Sequence, residues 1–394
     1  RTNSSSHTIS SRTVHKQNYT NSCLSNKKSV TYDHHRQYKK KNQVRSKYGR
    51  FVVIVLISVI AIIAAITMGL LIRPSKGSSS TTIISKYSPE LRWNSTGITI
   101  LGKTGTNISF SEKLSLPYGI AFDLFGDLYV ADYYHNRTQK ILMKTLQVVT
   151  VAGQANGSMG SGSYGLFYPT HMAFDSNNNM YVMDTANRRV QFFTQGNLSG
   201  STVAGALSWG TAIAYDSDNH VLYAADGAYN RIMKYSYGTS VSISIAAGSN
   251  GCGLNTSQIC SPQGLYFDKY TNSLLISSTE VHAVVRWRLG DSNWTNTIAG
   301  SPNGTRGNTS TTLNRPWGII LDPMGNYYIS DRDNNRIQFF LNGQSVGRTI
   351  AGITGLYGTN PLLLFCPYWM ALDKQLNLYV ADACNHRIQL FKRY

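Results

Sequence analysis

The chain has 394 residues, a formal net charge of +18 and a sequence pI near 9.6. The charge is concentrated at one end, because residues 1–50 hold twelve Lys or Arg and one acid, Asp33, a net charge of +11. The remaining +7 is a mild excess over a large surface. Composition therefore indicates a basic tail on a nearly balanced protein, and it excludes a chain that is basic throughout.

An uncharged apolar run follows the tail. Residues 51–72 read FVVIVLISVIAIIAAITMGLLI, which spans roughly 33 Å as a helix at 1.5 Å per residue. A buried soluble helix of this length would need a polar face, and a cleaved signal peptide would be shorter and nearer the start. The run predicts one transmembrane helix.

The charges flanking this run predict its orientation. Six basic residues crowd its N-terminal side, whereas Arg73 and Lys76 lie on the other. The positive-inside rule then places a disordered tail, residues 1–50, in the cytosol and residues 73–394 outside, at the plasma membrane or another membrane of the secretory pathway. The anionic inner leaflet is a sufficient partner for the tail, so no nucleic acid is expected.

Sequons and cysteines agree with this topology. Each N-x-S/T sequon requires surface exposure in the secretory pathway. Eight sequons follow the apolar run: Asn94, Asn107, Asn136, Asn197, Asn255, Asn293, Asn303 and Asn308. Four of the five cysteines also lie there, an even number in a compartment where disulfides persist.

A Gly/Ser-rich stretch, residues 73–93, predicts a flexible stalk, after which one module recurs six times. Its first run appears as PYGIAFD (117–123), PTHMAFD (169–175), GTAIAYD (210–216), PQGLYFD (262–268), PWGIILD (316–322) and PYWMALD (367–373). Its second run ends at residues 132, 184, 226, 278, 331 and 382, so the period is 42 to 53 residues. Short strands at such a period are typical of propeller blades.

The sixth module stops after its third strand. The segment GITILG, residues 97–102, matches the missing fourth strand and precedes the first module. Pairing of the two chain ends would close the ring and remove its open edges. We therefore predict an all-β fold, a six-bladed β-propeller over residues 94–394 closed by an N-terminal strand.

The recurring pattern P-x-G-I-A-x-D, Y-V-A-D and N-x-R-I-Q-x-F resembles the NHL repeat. This resemblance covers residues 94–394 and implies a six-bladed propeller. The family includes RNA-binding proteins, protein scaffolds, extracellular sensors and a lyase acting on peptides with C-terminal hydroxyglycine. The resemblance consequently implies a fold and leaves the function open.

Five modules place an Arg five residues after an Asp. The pairs are Asp132 with Arg137, Asp184 with Arg189, Asp226 with Arg231, Asp331 with Arg336, and Asp382 with Arg387. A catalytic site needs one such constellation, so five copies favour structural, bidentate ion pairs between the second and third strands. Blade 4 departs from the pattern with Ser278 and Ala283.

Histidines are the candidates for metal binding. His171 lies at the start of a first strand, which is the innermost, whereas the others after the apolar run occupy turns. The lyase branch that the resemblance implies uses three histidines at the channel, and a zinc site needs three or four ligands. We expect no catalytic residue, no metal ligand and no cofactor, with calcium or zinc in the channel as the alternative.

The cysteines outside the predicted membrane helix favour two disulfides, since no CxxC spacing is present. Cys252 and Cys260 bracket a short loop before blade 4. Cys366 opens the first strand of blade 6 and Cys384 lies in the DACNH turn of the same blade, where adjacent antiparallel strands could bring the two within bonding range.

Aromatic residues occupy the second and third positions of several first strands, near the channel mouth. The predicted ligand-binding residues are Tyr118, His171, Trp317, Tyr368 and Trp369. Aromatic anchors on a concave face suit a peptide, protein or glycan, and the alternative is that these rings fill space between blades. The sequence thus predicts a single-pass type II membrane protein that presents a propeller for extracellular recognition. The alternative is a membrane-anchored, metal-dependent lyase or hydrolase that uses the channel around His171.

Overall fold

The computed structural model describes residues 91–102, 113–237 and 242–394. The predicted cytosolic tail, the predicted transmembrane helix and most of the predicted stalk lie outside the described residues. Within the described ranges, no helix is long and apolar enough to cross a bilayer.

The described residues form twenty-four strands in six antiparallel, four-stranded sheets, which are the blades. Blade 1 contains β2 (Pro117–Phe122), β3 (Leu128–Asp132), β4 (Arg137–Leu142) and β5 (Gln147–Gly153). Blade 2 contains β6 (Pro169–Phe174), β7 (Met180–Asp184), β8 (Arg189–Phe193) and β9 (Ser201–Ala204). Blade 3 contains β10 (Gly210–Asp216), β11 (Val221–Asp226), β12 (Arg231–Ser236) and β13 (Ser242–Gly248). Blade 4 contains β14 (Pro262–Asp268), β15 (Ser273–Ser278), β16 (Ala283–Arg288) and β17 (Asn296–Gly300). Blade 5 contains β18 (Pro316–Leu321), β19 (Tyr327–Asp331), β20 (Arg336–Phe340) and β21 (Arg348–Gly352). Blade 6 contains β22 (Pro367–Leu372), β23 (Leu378–Asp382) and β24 (Arg387–Phe391), and its fourth strand is β1 (Ile98–Gly102).

A single 3-10 turn joins the second and third strands in five of the described blades. These turns are Tyr133–His135, Gly227–Tyr229, Thr279–Val281, Arg332–Asn334 and Ala383–Asn385. Each ends on an Asn or His in the left-handed region, such as Asn136 with φ 50°. The recurring Asn of the sequence pattern is explained by this conformation, which Asn tolerates better than most residues.

The two chain ends close the ring as predicted. Strand β1 pairs antiparallel with β24, with Ile98 opposite Leu390 and Gly102 opposite Arg387. The packed region begins earlier than the predicted residue 94, because Trp93 is buried and its indole Nε1–H donates to the carbonyl of Leu376 at 2.8 Å. The closure and the all-β six-bladed fold predicted from the sequence are confirmed.

The five predicted Asp–Arg pairs all form, with one difference in geometry. In blade 1, Arg137 Nε donates to Asp132 Oδ2 at 2.9 Å. Asp132 Oδ1 instead accepts the backbone N–H of Ser115 at 2.7 Å, in the loop before the first strand. The predicted bidentate pairing is wrong, because the second carboxylate oxygen holds the loop. The motif therefore ties strand, turn and loop together.

The first strand of each blade lies innermost, in contact with the first strands of its two neighbours, and β2 meets β22 to complete the ring. Glycine permits this approach at the third position of some of these strands. A Cβ built on Gly264 would lie 1.9 Å from the carbonyl oxygen of Trp317 in the next blade. The glycine of the P-x-G pattern is thus a packing requirement around the axis.

Candidate functional site

The antiparallel blades give the propeller two faces. The start of every first strand and the turn between second and third strands lie at the same end of a blade; we call this end the entry face. The turns between first and second strands, and between third and fourth, form the opposite end, which we call the exit face. All five predicted ligand-binding residues belong to the entry half of the inner strands.

Three of the predicted residues form one stack of rings at the entry face. The ring centroids of Tyr118 and Tyr368 are 4.1 Å apart, and those of Trp317 and Tyr368 are 4.9 Å apart. Tyr133 extends the stack, at 4.8 Å from Tyr118, and Tyr168 follows at 4.6 Å from Tyr133. Blades 5, 6, 1 and 2 therefore share a continuous row of aromatic rings.

An arginine lies over one end of this row. The guanidinium carbon of Arg332 is 5.0 Å from the Trp317 ring centroid and 5.1 Å from that of Tyr368. Its side chain is 23% exposed and contacts Asp333, with Nη1 3.2 Å from a carboxylate oxygen. We call Tyr118, Tyr133, Tyr168, Trp317, Tyr368 and Arg332 the aromatic–arginine cluster. Such stacking orients a cation while its edge stays accessible.

Burial favours the neutral form of two phenols in this cluster, those of Tyr118 and Tyr368. Burial, together with the neighbouring phenols of Tyr368 and Tyr133, raises the pKa of Tyr118 well above its usual value. Burial is also the main cause that raises the pKa of Tyr368. The neutral rings of Tyr118 and Tyr368 therefore lie beside the cationic Arg332.

The other two predicted residues pair with each other deeper in the channel. The rings of His171 and Trp369 are 4.0 Å apart, although they come from blades 2 and 6. Burial lowers the pKa of His171 to about 3, and its Nδ1 accepts the backbone N–H of Ile213 at 3.3 Å. The imidazole is thus neutral, with its proton on Nε2.

The channel does not suit a catalytic metal. His171 already uses Nδ1 for a backbone bond, and no three His, Cys, Asp or Glu side chains converge anywhere in the described part of the chain. Zinc and calcium both require several converging donors. The residues present do not fit the channel metal that the lyase resemblance implies.

A cavity of ≈ 420 Å³ occupies the rest of the channel toward the exit face. Its walls are largely apolar and include Phe122, Ile213, Phe267, Leu321 and Leu372. His171 and Trp369 border it on the entry side. The predicted rings therefore lie at the closed end of the channel, and Trp317, Tyr368 and Trp369 are each less than 10% exposed.

Sequence reasoning missed several accessible aromatic residues of the entry face. Tyr134 is 52% exposed, Trp209 43% and Tyr229 54%. Trp209 immediately precedes a first strand, and the two tyrosines lie in turns between second and third strands. These aromatic residues are visible in the sequence, but they lie outside the first-strand positions from which the binding residues were predicted. Arg332 lies in an equivalent turn.

The predicted cysteine pairs differ in state. Cys252 and Cys260 form a disulfide, as predicted. Cys366 and Cys384 are thiols in this structure, and the Cys384 thiol donates a hydrogen bond to the Cys366 sulfur. The two residues are adjacent as expected, beside the start of β22.

The predicted glycosylation sites differ in accessibility. Exposed sequon asparagines are Asn94, Asn197, Asn255, Asn293, Asn303 and Asn308. Asn107 lies outside the described residues. Asn136 is 7% exposed, and its amide donates to the carbonyl of Gly157 at 3.0 Å while its oxygen accepts from the backbone of Tyr168 at 3.1 Å. In the folded blade, the side-chain amide of Asn136 is therefore buried and hydrogen-bonded, and it is not accessible for glycosylation.

The NHL repeat family model matches residues 313–340, which run from the loop before blade 5 to the end of its third strand. No match was found among curated protein sequences. Solved structures with the same fold include a protein of unknown function from Bacteroides thetaiotaomicron, at 16% identity, a TM-score of 0.61 and 76% coverage of both chains.

An auxiliary nutrient binding protein from Bacteroides ovatus is also similar, at 15% identity and a TM-score of 0.58, with 77% of this chain and 78% of that chain covered. At these identities the likeness shows the fold alone. The described residues form a six-bladed β-propeller, and its fifth blade matches the NHL repeat.

Proposed function

We propose that this propeller is a recognition module, not an enzyme, and that its entry face binds a peptide, protein or glycan that carries a carboxylate. The observation that carries the proposal is the position of Arg332 over the rings of Trp317 and Tyr368. A guanidinium held on aromatic rings binds a carboxylate at a low entropic cost, because its orientation is already set.

Accessible rings around the cluster support a ligand larger than a single ion. Tyr134 contacts Tyr168 edge-on at 5.7 Å, and Trp209 and Tyr229 continue the aromatic surface into blade 3. Aromatic and Arg side chains dominate the energetics of most protein interfaces. The aromatic–arginine cluster orients Arg332, and the exposed rings outside it, Tyr134, Trp209 and Tyr229, provide contact area.

Arg332 and the neighbouring Arg315 are held in ion pairs with Asp333 and Glu280 that a ligand carboxylate could exchange with. Arg315 is 45% exposed, and its pair with Glu280 at 3.2 Å is a surface ion pair of small energetic weight. An incoming carboxylate competes for these partly hydrated cations without breaking a buried pair. The Bacteroides protein described as an auxiliary nutrient binding protein has the same fold, which agrees with a binding role.

The cellular setting is part of the proposal. Residues 51–72 would span the membrane once, with residues 1–50 in the cytosol and the propeller outside on a stalk. The six exposed sequons support glycosylation of the propeller surface. Protease treatment of intact cells should remove an epitope tag at the C-terminus and leave a tag at the N-terminus intact.

The recognition surface can be tested with the full chain displayed on cells, probed with arrays of acidic peptides and of glycans that contain uronic or sialic acids. Trp209→Ala and Arg332→Gln should each weaken the strongest hits at least tenfold. Arg288→Gln, an exposed arginine near the exit face, is the matched control and should bind as the parent does. Equal binding by all three variants would rule out the entry face as the site.

A further inference from the structure

We propose that the exit face holds a second, separate binding site, which takes a neutral hydroxylated ligand the size of one or two sugar units. The site is a cavity of ≈ 630 Å³ between blades 3, 4 and 5. Ligand pockets in proteins typically have volumes of about 300–1,000 Å³. It lies at the end of the propeller opposite the aromatic–arginine cluster.

A positioned arginine marks the cavity. Arg286 Nη1 donates to Asp268 Oδ2 at 2.9 Å, and Nη2 donates to the hydroxyl of Tyr327, in the next blade, at 2.9 Å. The guanidinium is 16% exposed, so these contacts hold it against the cavity wall. The equivalent third-strand position is Lys140 in blade 1, Phe192 in blade 2, Lys234 in blade 3, Phe339 in blade 5 and Leu390 in blade 6, so a cation there is common in the repeat but not required by it. Lys140 pairs with Asp123 as Arg286 pairs with Asp268, and the bond to Tyr327 of the next blade is what sets Arg286 apart.

Aromatic faces supply the apolar part of the wall. Tyr215, Tyr266 and Phe267 are half-buried along one side. Tyr270 is 88% exposed at the rim of the cavity. Contact between this ring and a ligand would remove apolar surface from water, which stabilises the complex. Tyr270 occupies a turn whose conformation is set by Asp268, which accepts its backbone N–H at 3.1 Å. The ring is therefore displayed on a defined turn.

The polar groups of the wall favour a neutral ligand over an ion. Asp218 and Lys269 are exposed and opposite in charge. Asp216 and Asp322 also line the cavity, but they already accept bonds from their own turns, such as the 2.8 Å bonds from Asn219 and Asn326. Hydroxyl groups both donate and accept, so one polyol satisfies Arg286 and Asp218 together. Aromatic rings combined with such polar groups suit a saccharide.

The site can be tested by calorimetry or saturation-transfer NMR on the full chain, purified in a detergent without a sugar headgroup. The probes are neutral hexoses, N-acetylhexosamines and their disaccharides, with gluconate and glucosamine as an anion and a cation. Tyr270→Ala and Asp218→Ala remove exposed side chains, so both variants should fold normally. The matched controls are Phe125→Ala and Asn177→Ala, at the same turn positions of blades 1 and 2.

We expect at least one neutral saccharide to bind, with at least a tenfold loss in Tyr270→Ala and in Asp218→Ala and no loss in either control. Binding in these conditions should persist in Arg332→Gln, since that residue lies on the entry face. The proposal is overturned if no neutral saccharide binds, if gluconate or glucosamine binds more tightly, or if Arg332→Gln abolishes binding while Tyr270→Ala does not.

Discussion

The hydroxyl of Ser278 accepts the backbone N–H of Cys260 at 2.7 Å, in the position where the other five blades use an aspartate. In those blades the aspartate accepts the equivalent loop N–H, as Asp331 does from Asn314 at 2.7 Å, and also pairs with the arginine that follows. Blade 4 retains the first bond and lacks the second. Its Cys252–Cys260 disulfide closes the same loop. A covalent bond thus stands where the other blades have an ion pair.

This substitution predicts a specific cost for loss of the disulfide. The loop between Cys252 and Cys260 is short, and cross-linking it restricts the unfolded chain by about 2–3 kcal/mol. Cys252→Ser should lower the free energy of unfolding by that amount, as measured by urea denaturation. A reducing agent should destabilise the parent by about this amount more than it destabilises the variant. A variant as stable as the oxidised parent would show that the disulfide does not hold blade 4.

The arginine of the other blades should be costly to remove. Arg336 donates to Asp331 at 2.8 Å and to the loop carbonyls of Asn308, Thr309 and Thr312. Arg336→Gln would leave the Asp331 carboxylate buried without its cation, a change that costs about 3–5 kcal/mol. Thermal or urea unfolding measures this loss.

The matched control for this experiment is Arg306→Gln, because Arg306 is exposed in the same loop. That variant should stay within about 0.5 kcal/mol of the parent. If the two variants lost equal stability, the effect would be a general loss of positive charge and not the buried pair.

The fold could be predicted from the sequence because the same strand pattern occurs six times along the chain. Strand order, the Asp–Arg register and the closure by β1 each follow from a pattern that is visible in the chain. The candidate site was predicted less completely. Trp317 and Tyr368 were found as first-strand positions, whereas Arg332 was missed because its position in the turn is variable. Proximity between blades depends on how the ring closes, which no local pattern reports.

Exit-face chemistry illustrates the same limit. Arg286 meets Tyr327 across two blades that are separated by a long stretch of sequence, and nothing near either residue predicts the contact. The sequence also could not predict which tyrosines are buried. Tyr118 and Tyr134 have the same side chain, but of the two only Tyr134 is more than half exposed. The three-dimensional arrangement alone distinguishes a ring that supports a site from one that is free to contact a ligand.

His171 should make stability depend on pH. The pKa of this histidine is about 3 in the folded protein and near 6.5 when unfolded, because burial disfavours its charged form. Its contribution is therefore fully present above about pH 6.5 and is lost as the pH falls toward 3. The unfolded chain binds one more proton in this window, so the slope approaches ~1.4 kcal/mol per pH unit.

His171→Asn keeps an acceptor for the Ile213 N–H and removes the titration. The variant should therefore show a smaller loss of unfolding free energy between pH 7 and pH 4.5 than the parent. Because His282 and His386 also have lowered pKa values and stay in both proteins, the difference between the curves isolates His171. Parallel curves would mean that His171 has the same pKa in the folded and the unfolded state.

The Cys366 and Cys384 thiols should form a disulfide if the propeller matures in an oxidising compartment. Their sulfurs are already hydrogen-bonded, so oxidation requires little movement. Non-reducing peptide mapping of the secretory-pathway protein should recover one cross-linked peptide containing both residues. Alkylation of both thiols without prior reduction would contradict the proposed topology as well as the bond.

Glycosylation should separate exposed sequons from the buried one. Asn197→Gln should remove one glycan and increase the electrophoretic mobility by one step, because Asn197 is exposed in a loop. Asn136→Gln should cause no such step, since the Asn136 amide is bonded to Gly157 and Tyr168 when the blade is folded. Glycosidase treatment should bring the parent and the Asn197 variant to the same mobility. A glycan on Asn136 would require that it be attached before blade 1 folds, and the amide contacts described above would then be absent from the mature protein.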